Sequence, residues 1–314
     1  MNLPSVVAQP GMPDAVRIYE VGPRDGLQAE KQLIATDVKL EFIRRLLAAG
    51  LRTIELTSFV SPKWVPQLAD AADVVAGVDL DSARHPVLVA NERGLDRALA
   101  SGVREIAVFA SATESFAKNN LNRSVDEALT MFELVVRRSR DAGVAVRGYI
   151  SMCFGDPWEG PVSLAKVVHV AERLIDMGVT SLSLGDTIGV GTPGHVLALV
   201  ERLEAAGIPR GVLAMHFHDT YGQALANVHA ALTAGITEFD ASAGGIGGCP
   251  YAQSATGNLA TEDLVWMLTG LGYHTGVNLE HLVEASVWMA KHLRRPSSSR
   301  VVRAMASTDD RGQA

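Results

Sequence analysis

The chain has 314 residues, 47% hydrophobic and 20% charged, which excludes intrinsic disorder and supplies a large core. Its 35 acidic and 28 basic residues leave a net charge of −7, which argues against a general nucleic-acid binder but not against an anionic small ligand held by a local Lys/Arg cluster. No apolar run reaches the roughly 18 residues of a membrane helix, so no membrane span is expected.

The first 15 residues carry no Lys or Arg and no long apolar run. They read as a short N-terminal extension, neither signal nor transit peptide, and the expected compartment is cytoplasmic. Strand-like runs then alternate with helix-length segments. Strands are expected at Val16–Val21, Thr53–Ser58, Pro86–Ala90, Glu105–Ala110, Val144–Ile150, Ser181–Leu184, Leu213–Phe217 and Glu238–Ser242. Helical patterns between them include Asp37–Ala49, Val125–Ala142, Ser163–Met177, Pro193–Ala206 and Gly222–Ala234. Gly50, Gly102, Gly143, Gly178, Gly207 and Gly235 each stand where a left-handed helix cap is expected.

This cadence predicts α/β architecture: a (β/α)8 TIM barrel with extra C-terminal helices at Asn258–Thr269 and Leu279–His292. Residues 16–305 read as one catalytic domain and 306–314 as a flexible polar tail. A doubly wound sheet is the competing fold. However, Gly244-Gly245-Ile246-Gly247-Gly248 does not match G-x-G-x-x-G and follows the last strand rather than the first. Cys153 and Cys249 are too few for a disulfide framework or a four-thiolate zinc site, and read as reduced thiols. Cys153 reads as core packing.

Barrel chemistry sits at the C-terminal ends of the strands. Those ends carry Arg24-Asp25, Glu55 with Thr57 and Ser58, Asn91, Arg147 with Ser151, Asp186-Thr187, and His216-Phe217-His218-Asp219. Residues two apart on a strand share a face, so His216 and His218 can hold one metal ion or be a hydrogen-bonded core pair. Joined by Asp25 and an amide such as Asn258, they form a mixed N/O donor set. That set favours Mg²⁺ or Mn²⁺, with Zn²⁺, Co²⁺ and Fe²⁺ left open. Arg24 reads either as half of a surface ion pair or as a fixed charge facing a developing oxyanion. Glu55 and Asp186 are structural ion-pair members or buried acids that orient Arg24 and the metal ligands. Cys249, after Gly244, Gly245, Gly247 and Gly248, is a small residue in a tight turn or a thiol carried on a mobile loop as acid or base.

Five blocks identify a resemblance. Residues 20–28 (EVGPRDGLQ), 55–66 (ELTSFVSPKWVP), 183–193 (SLGDTIGVGTP), 216–227 (HFHDTYGQALAN) and 247–253 (GGCPYAQ) closely resemble the 3-hydroxy-3-methylglutaryl-CoA lyases, from about Val16 to about Leu271. These belong to a wider group of metal-dependent TIM-barrel lyases and synthases. The resemblance implies a divalent cation on Asp25, His216, His218 and Asn258, with Arg24 at the enolate oxygen and Cys249 as acid/base. It implies that Glu55, Asp186 and Glu262 support the site, with Gln28, Lys31 and Arg147 around it. The implied reaction is retro-Claisen cleavage of 3-hydroxy-3-methylglutaryl-CoA to acetyl-CoA and acetoacetate. The implied partners are an acyl-CoA substrate and a second copy of the chain, as a dimer, and the implied pathway is leucine breakdown.

The chain departs from the family pattern in places. Arg294-Arg295-Pro296-Ser297 replaces Asn-Arg-Lys followed by Thr or Ser, and Asp156 stands where a cysteine is expected. Phe217 separates the ligand histidines where a smaller residue is common, and is expected to point away from the metal. These changes put acyl-chain preference and CoA affinity in question, so a different 3-hydroxy-3-alkylglutaryl-CoA is an alternative substrate. A Claisen-direction synthase is disfavoured by the short stretch after the barrel motifs, and a non-catalytic barrel by the complete ligand set.

Overall fold

The computed structural model describes residues 3–249 and 252–309, with backbone alone at 249, 252–256 and 307–309. Strands β1 (Arg17–Glu20), β2 (Ser58–Phe59), β3 (Val87–Val89), β4 (Glu105–Ser111), β5 (Ala145–Ser151), β6 (Ser181–Asp186), β7 (Leu213–Phe217) and β8 (Glu238–Ala241) form one sheet in the order β1-β8-β7-β6-β5-β4-β3-β2. Every neighbouring pair in it is parallel. The free edge of β1 meets the segment before β2: Glu20 N–H donates to the Thr53 carbonyl at 3.0 Å, and Glu55 N–H to the Glu20 carbonyl at 2.9 Å. These bonds close the sheet into the barrel expected from the sequence.

The second strand differs in detail. Thr53–Ser58 is the expected span, yet the continuous ladder holds only Ser58–Phe59. Residues before it bond alternately to β1 and to the stretch before β3, with Leu56 N–H donating to the Pro86 carbonyl at 3.0 Å. Glu55 is therefore on extended backbone between two neighbours, and its side chain is fully buried.

Helices α1 (Thr36–Ala48), α2 (Ala71–Ala76), α3 (Glu92–Ala100), α4 (Glu114–Leu121), α5 (Val125–Asp141), α6 (Leu164–Met177), α7 (Pro193–Ala205) and α8 (Ala224–Thr233) cover the barrel. In α5, Ser124 and Glu127 form a capping box, and Leu129, Phe132, Val135 and Val136 make one buried face. The six glycines expected as stops all have positive φ, from +74° at Gly143 to +99° at Gly50 and Gly178. Helices α9 (Thr261–Gly270), α10 (Leu279–Leu293) and α11 (Arg300–Asp309) follow.

Two boundaries move. Helix α9 starts at Thr261, not Asn258, because residues 257–260 run extended between the ends of β7 and β8. There Asp219 N–H donates to the Gly257 carbonyl at 2.7 Å, Leu259 N–H to Phe217 at 3.0 Å, and Ser242 N–H to Leu259 at 2.9 Å. Helix α11 runs past Ala306, where the flexible tail was expected to begin, while 310–314 lie outside the described residues.

The main apolar core fills the layer between strands and helices, with Phe42, Phe59, Phe132, Phe217 and Phe239 fully buried. Phe217 turns outward into this layer as alternation requires, and Cys153 is buried in it. Inside the barrel, a small cluster of Leu88, Ala107 and Tyr149 with Phe109 sits beside the buried Arg147, Glu238 and Asp240. The interior thus holds buried paired charge, a poor route to stability alone but a means of fixing polar groups above it. Among the described residues no helix is long and apolar enough to cross a membrane.

Candidate active site

The chain leaves β1 through a π-helical turn, Gly22–Gly26, that carries Arg24 and Asp25. The turn is pinned by Glu20, whose Oε1 accepts from Gly22 N–H at 2.8 Å and Ala243 N–H at 2.9 Å, while Oε2 accepts from Thr261 Oγ1 at 2.7 Å. A Cβ at Gly22 would sit 2.6 Å from that carboxylate, so this approach needs glycine. Burial pushes the Glu20 carboxyl up to about 7 despite these three donors.

Arg24 is 6% exposed. Its Nε donates to Glu55 Oε2 at 2.6 Å and its Nη1 to Asp25 Oδ1 at 2.7 Å, using two of its five N–H donors. The guanidinium carbon lies 5.4 Å from the centre of the Tyr149 ring, and Tyr149 OH donates to Glu55 Oε2 at 3.3 Å. Burial disfavours the Arg24 charge, but Glu55 and Asp25 outweigh it and hold its pKa above the ordinary value. Arg24 is no surface ion pair: it is a buried, permanently charged group aimed by two carboxylates.

His216 and His218 leave β7 on one face, as the spacing predicts. Their Nε2 atoms face each other at 3.2 Å, and the ligand atoms of Asp25, His216 and His218 all lie within 4.8 Å of one another. Asp240 Oδ2 lies 3.2 Å from His216 Nδ1, which places the His216 proton on that side and turns the Nε2 lone pair toward Asp25 and His218. Burial, then the neighbouring His216 ring, lowers His218 to about 3, so it is a neutral donor. Burial would raise Asp25, but Arg24 and the two histidines hold it at about 2. Asn258, brought in by the strip between β7 and β8, donates from Nδ2 to Asp25 Oδ2 at 2.9 Å and to the Ile246 carbonyl at 3.1 Å. Its Oδ1 is buried with no hydrogen-bond partner among the described residues. An orphaned amide oxygen, two facing imidazole nitrogens and an ionised carboxylate fit a divalent cation of mixed N/O preference.

The other expected residues lie further out. Asp186 spends its oxygens on its own loop, accepting from Val190 N–H at 2.9 Å and Gly191 N–H at 3.0 Å, rather than orienting Arg24 or a ligand histidine. Burial raises it to about 6. Glu262 accepts Gly244 N–H at 2.9 Å and the Ser286 hydroxyl, and burial raises it to about 8. Arg147 lies inside the barrel, 4.0 Å from the Tyr19 ring centre, and pairs with Glu238 and Asp240. Its link to the ligands runs through Asp240. Gln28 and Lys31 are exposed on the loop after β1. Cys249 lies on β9 (Gly248–Cys249), which pairs antiparallel with β10 (Ala252–Thr256), but its side chain lies outside the described residues.

Sequence reasoning missed Asp240, Tyr149 and Glu20. Asp240 had a legible signal: Glu238-x-Asp240-x-Ser242 puts two acids on one strand face, a pattern a purely apolar interior would not carry.

Fold and site together define a (β/α)8 barrel enzyme with a candidate metal centre at its catalytic rim. The HMGL-like family model matches residues 15–288. The chain is 52% identical to the mitochondrial hydroxymethylglutaryl-CoA lyase of Arabidopsis thaliana, over 94% of this chain and 63% of that protein. It is 52% identical to the mitochondrial lyase of Bos taurus, over 93% of this chain and 90% of that one. The crystal structure of hydroxymethylglutaryl-CoA lyase from Pseudomonas aeruginosa superposes with a TM-score of 0.92 at 48% identity, covering 95% of this chain and 99% of that one. A lyase from Acinetobacter baumannii, solved with coenzyme A and 3-methylmalate, gives 0.88 at 32% identity, covering 95% and 97%. The chain belongs to the HMGL-like family. Relatives are named both mitochondrial and cytoplasmic.

Proposed function

We infer that the protein is a carbon–carbon lyase that cleaves 3-hydroxy-3-methylglutaryl-CoA to acetyl-CoA and acetoacetate, using a divalent cation, Mg²⁺ or Mn²⁺. The carrying observation is the junction of Arg24 and the ligand set through Asp25: Oδ1 accepts from Arg24 and Oδ2 from Asn258, with both histidines alongside.

Asp25, His216, His218 and Asn258 would hold the cation. When bound, it would make a tertiary hydroxyl of the substrate easier to deprotonate and would offset negative charge there. Collapse of the alkoxide to a ketone breaks the bond to the thioester α-carbon and leaves a thioester enolate. Arg24, locked by Glu55 and Asp25, meets the negative charge on the enolate oxygen as it forms and needs no reorganisation to do so. Protonation of the enolate carbon completes acetyl-CoA. The resemblance assigns that proton to Cys249, on the loop whose root Glu20 and Glu262 fix at Ala243 and Gly244. Asp240 holds the His216 tautomer throughout.

The test is product analysis of purified protein given 3-hydroxy-3-methylglutaryl-CoA, Mg²⁺ and a thiol reductant. Equal amounts of acetyl-CoA and acetoacetate are expected. Products only from a longer 3-alkyl homologue would keep the chemistry and reassign the acyl group.

A further inference from the structure

The segment between α10 and α11 closes over the outside of the glycine loop. Ser298 N–H donates to the Gly244 carbonyl at 3.2 Å. Ser298 Oγ donates to the same carbonyl at 3.2 Å and to the Gly245 carbonyl at 2.9 Å, and Ser297 Oγ donates to Gly244 at 2.8 Å. From the inside, Glu20 and Glu262 take the N–H groups of Ala243 and Gly244. Both glycines are left-handed, with φ of +70° and +63°, so this turn is held against a conformation with few restraints of its own.

The clamp has anchors on both sides. Ser299 Oγ donates to Asp263 Oδ1 at 2.6 Å, and the same carboxylate accepts from Arg300 and Val301 N–H at the start of α11. Arg295 pairs with Glu30, on the loop that follows the Arg24–Asp25 turn. One residue beyond Gly245, the Ile246 carbonyl accepts from Asn258 Nδ2, which also binds Asp25. A continuous path of contacts therefore runs from Ser298 through the glycine turn to Asn258 and Asp25.

We propose that Ser297 and Ser298 are positioning residues for the lyase reaction: they clamp the glycine loop in register with the Arg24–Asp25 turn, so the C-terminal end of the chain sets the geometry of the site. The kinetic part of this rests on the cleavage activity inferred above. A serine hydroxyl offers a short, directional donor to a carbonyl, which an alanine cannot replace.

The test compares wild type, Ser297→Ala/Ser298→Ala and Ser297→Thr/Ser298→Thr. Hydrogen exchange of amides 243–248 is read alongside kcat and KM. The double alanine variant is expected to exchange about tenfold faster in that segment. Its kcat should fall about tenfold with KM near wild type, as a misplaced group costs rate more than binding. The threonine variant, which keeps the hydroxyls, should recover both. Unchanged exchange in the alanine variant would overturn the clamp. Faster exchange with wild-type kcat would overturn its role in the reaction, as would a loss of rate that threonine does not restore. Should wild type cleave no substrate, the inferred activity fails and exchange alone decides the clamp.

Discussion

Asp240 supports His216 from behind, its Oδ2 3.2 Å from ring Nδ1 across the β7–β8 pairing. The same carboxylate accepts from Ser183 Oγ at 2.7 Å and from buried Arg147. Asp240 thus links the barrel interior to the ligand histidines. Partners of this kind typically contribute ten- to a hundredfold in metal affinity. We therefore expect Asp240→Asn to weaken Mn²⁺ binding by about tenfold or more in calorimetric titration. Wild-type affinity in that variant would detach Asp240 from the site.

Arg24→Gln separates charge stabilisation from metal binding. Asp25 keeps Asn258 and both histidines as neighbours, so Mn²⁺ titration should still show a bound ion. Turnover should fall by about 10²–10³-fold, the usual cost of removing an oxyanion donor. A variant with near-normal kcat would take Arg24 out of the mechanism.

Removing Glu55 leaves Arg24 buried with a single carboxylate, Asp25, whose side chain is 26% exposed. Breaking a buried ion pair from one side costs about 3–5 kcal/mol. Glu55→Ala should therefore lower the free energy of urea unfolding by roughly 3 kcal/mol. A change near zero would mean that water reaches Arg24 when its partner is gone.

Glu262 supplies a pH dependence with a definite sign. Burial raises it from the usual 4.5 to about 8, so between those values the folded protein binds a proton that the unfolded chain has released. Its contribution to stability is whole below about pH 4.5 and is lost as pH rises through about 8. Glu20, raised to about 7, acts in the same direction. Glu262→Gln keeps an acceptor for Gly244 and removes the titration. The fall in melting temperature between pH 5 and pH 8 should therefore be shallower in this variant than in wild type. An identical slope in both would assign the loss to other groups.

Much of the site was legible because it is local. Arg24-Asp25 are adjacent, and His216 and His218 obey the two-residue period of a strand, so the chain itself dictates their common face. The glycine stops were equally plain, since each closes a helix with a positive φ. Asp240 was harder, because its role depends on a partner 24 residues away across a strand pairing. The partners of Asp186 were not legible for a different reason. It sits at a strand end as a site acid should, but the loop after β6 folds back and takes both its oxygens. Asn258 reads from the sequence as a metal ligand at the start of a helix, whereas the structure sets it beside Asp25 ahead of α9. Its backbone is extended because β7 and β8 part and admit it.

The most direct measurement is acetoacetate release from 3-hydroxy-3-methylglutaryl-CoA before chelation, after EDTA treatment, and after Mg²⁺ or Mn²⁺ is restored. A ligand set of Asp25, His216, His218 and Asn258 serving Arg24 predicts turnover that EDTA abolishes and the cation returns. Turnover undiminished in EDTA, from protein shown by elemental analysis to be metal-free, would contradict it.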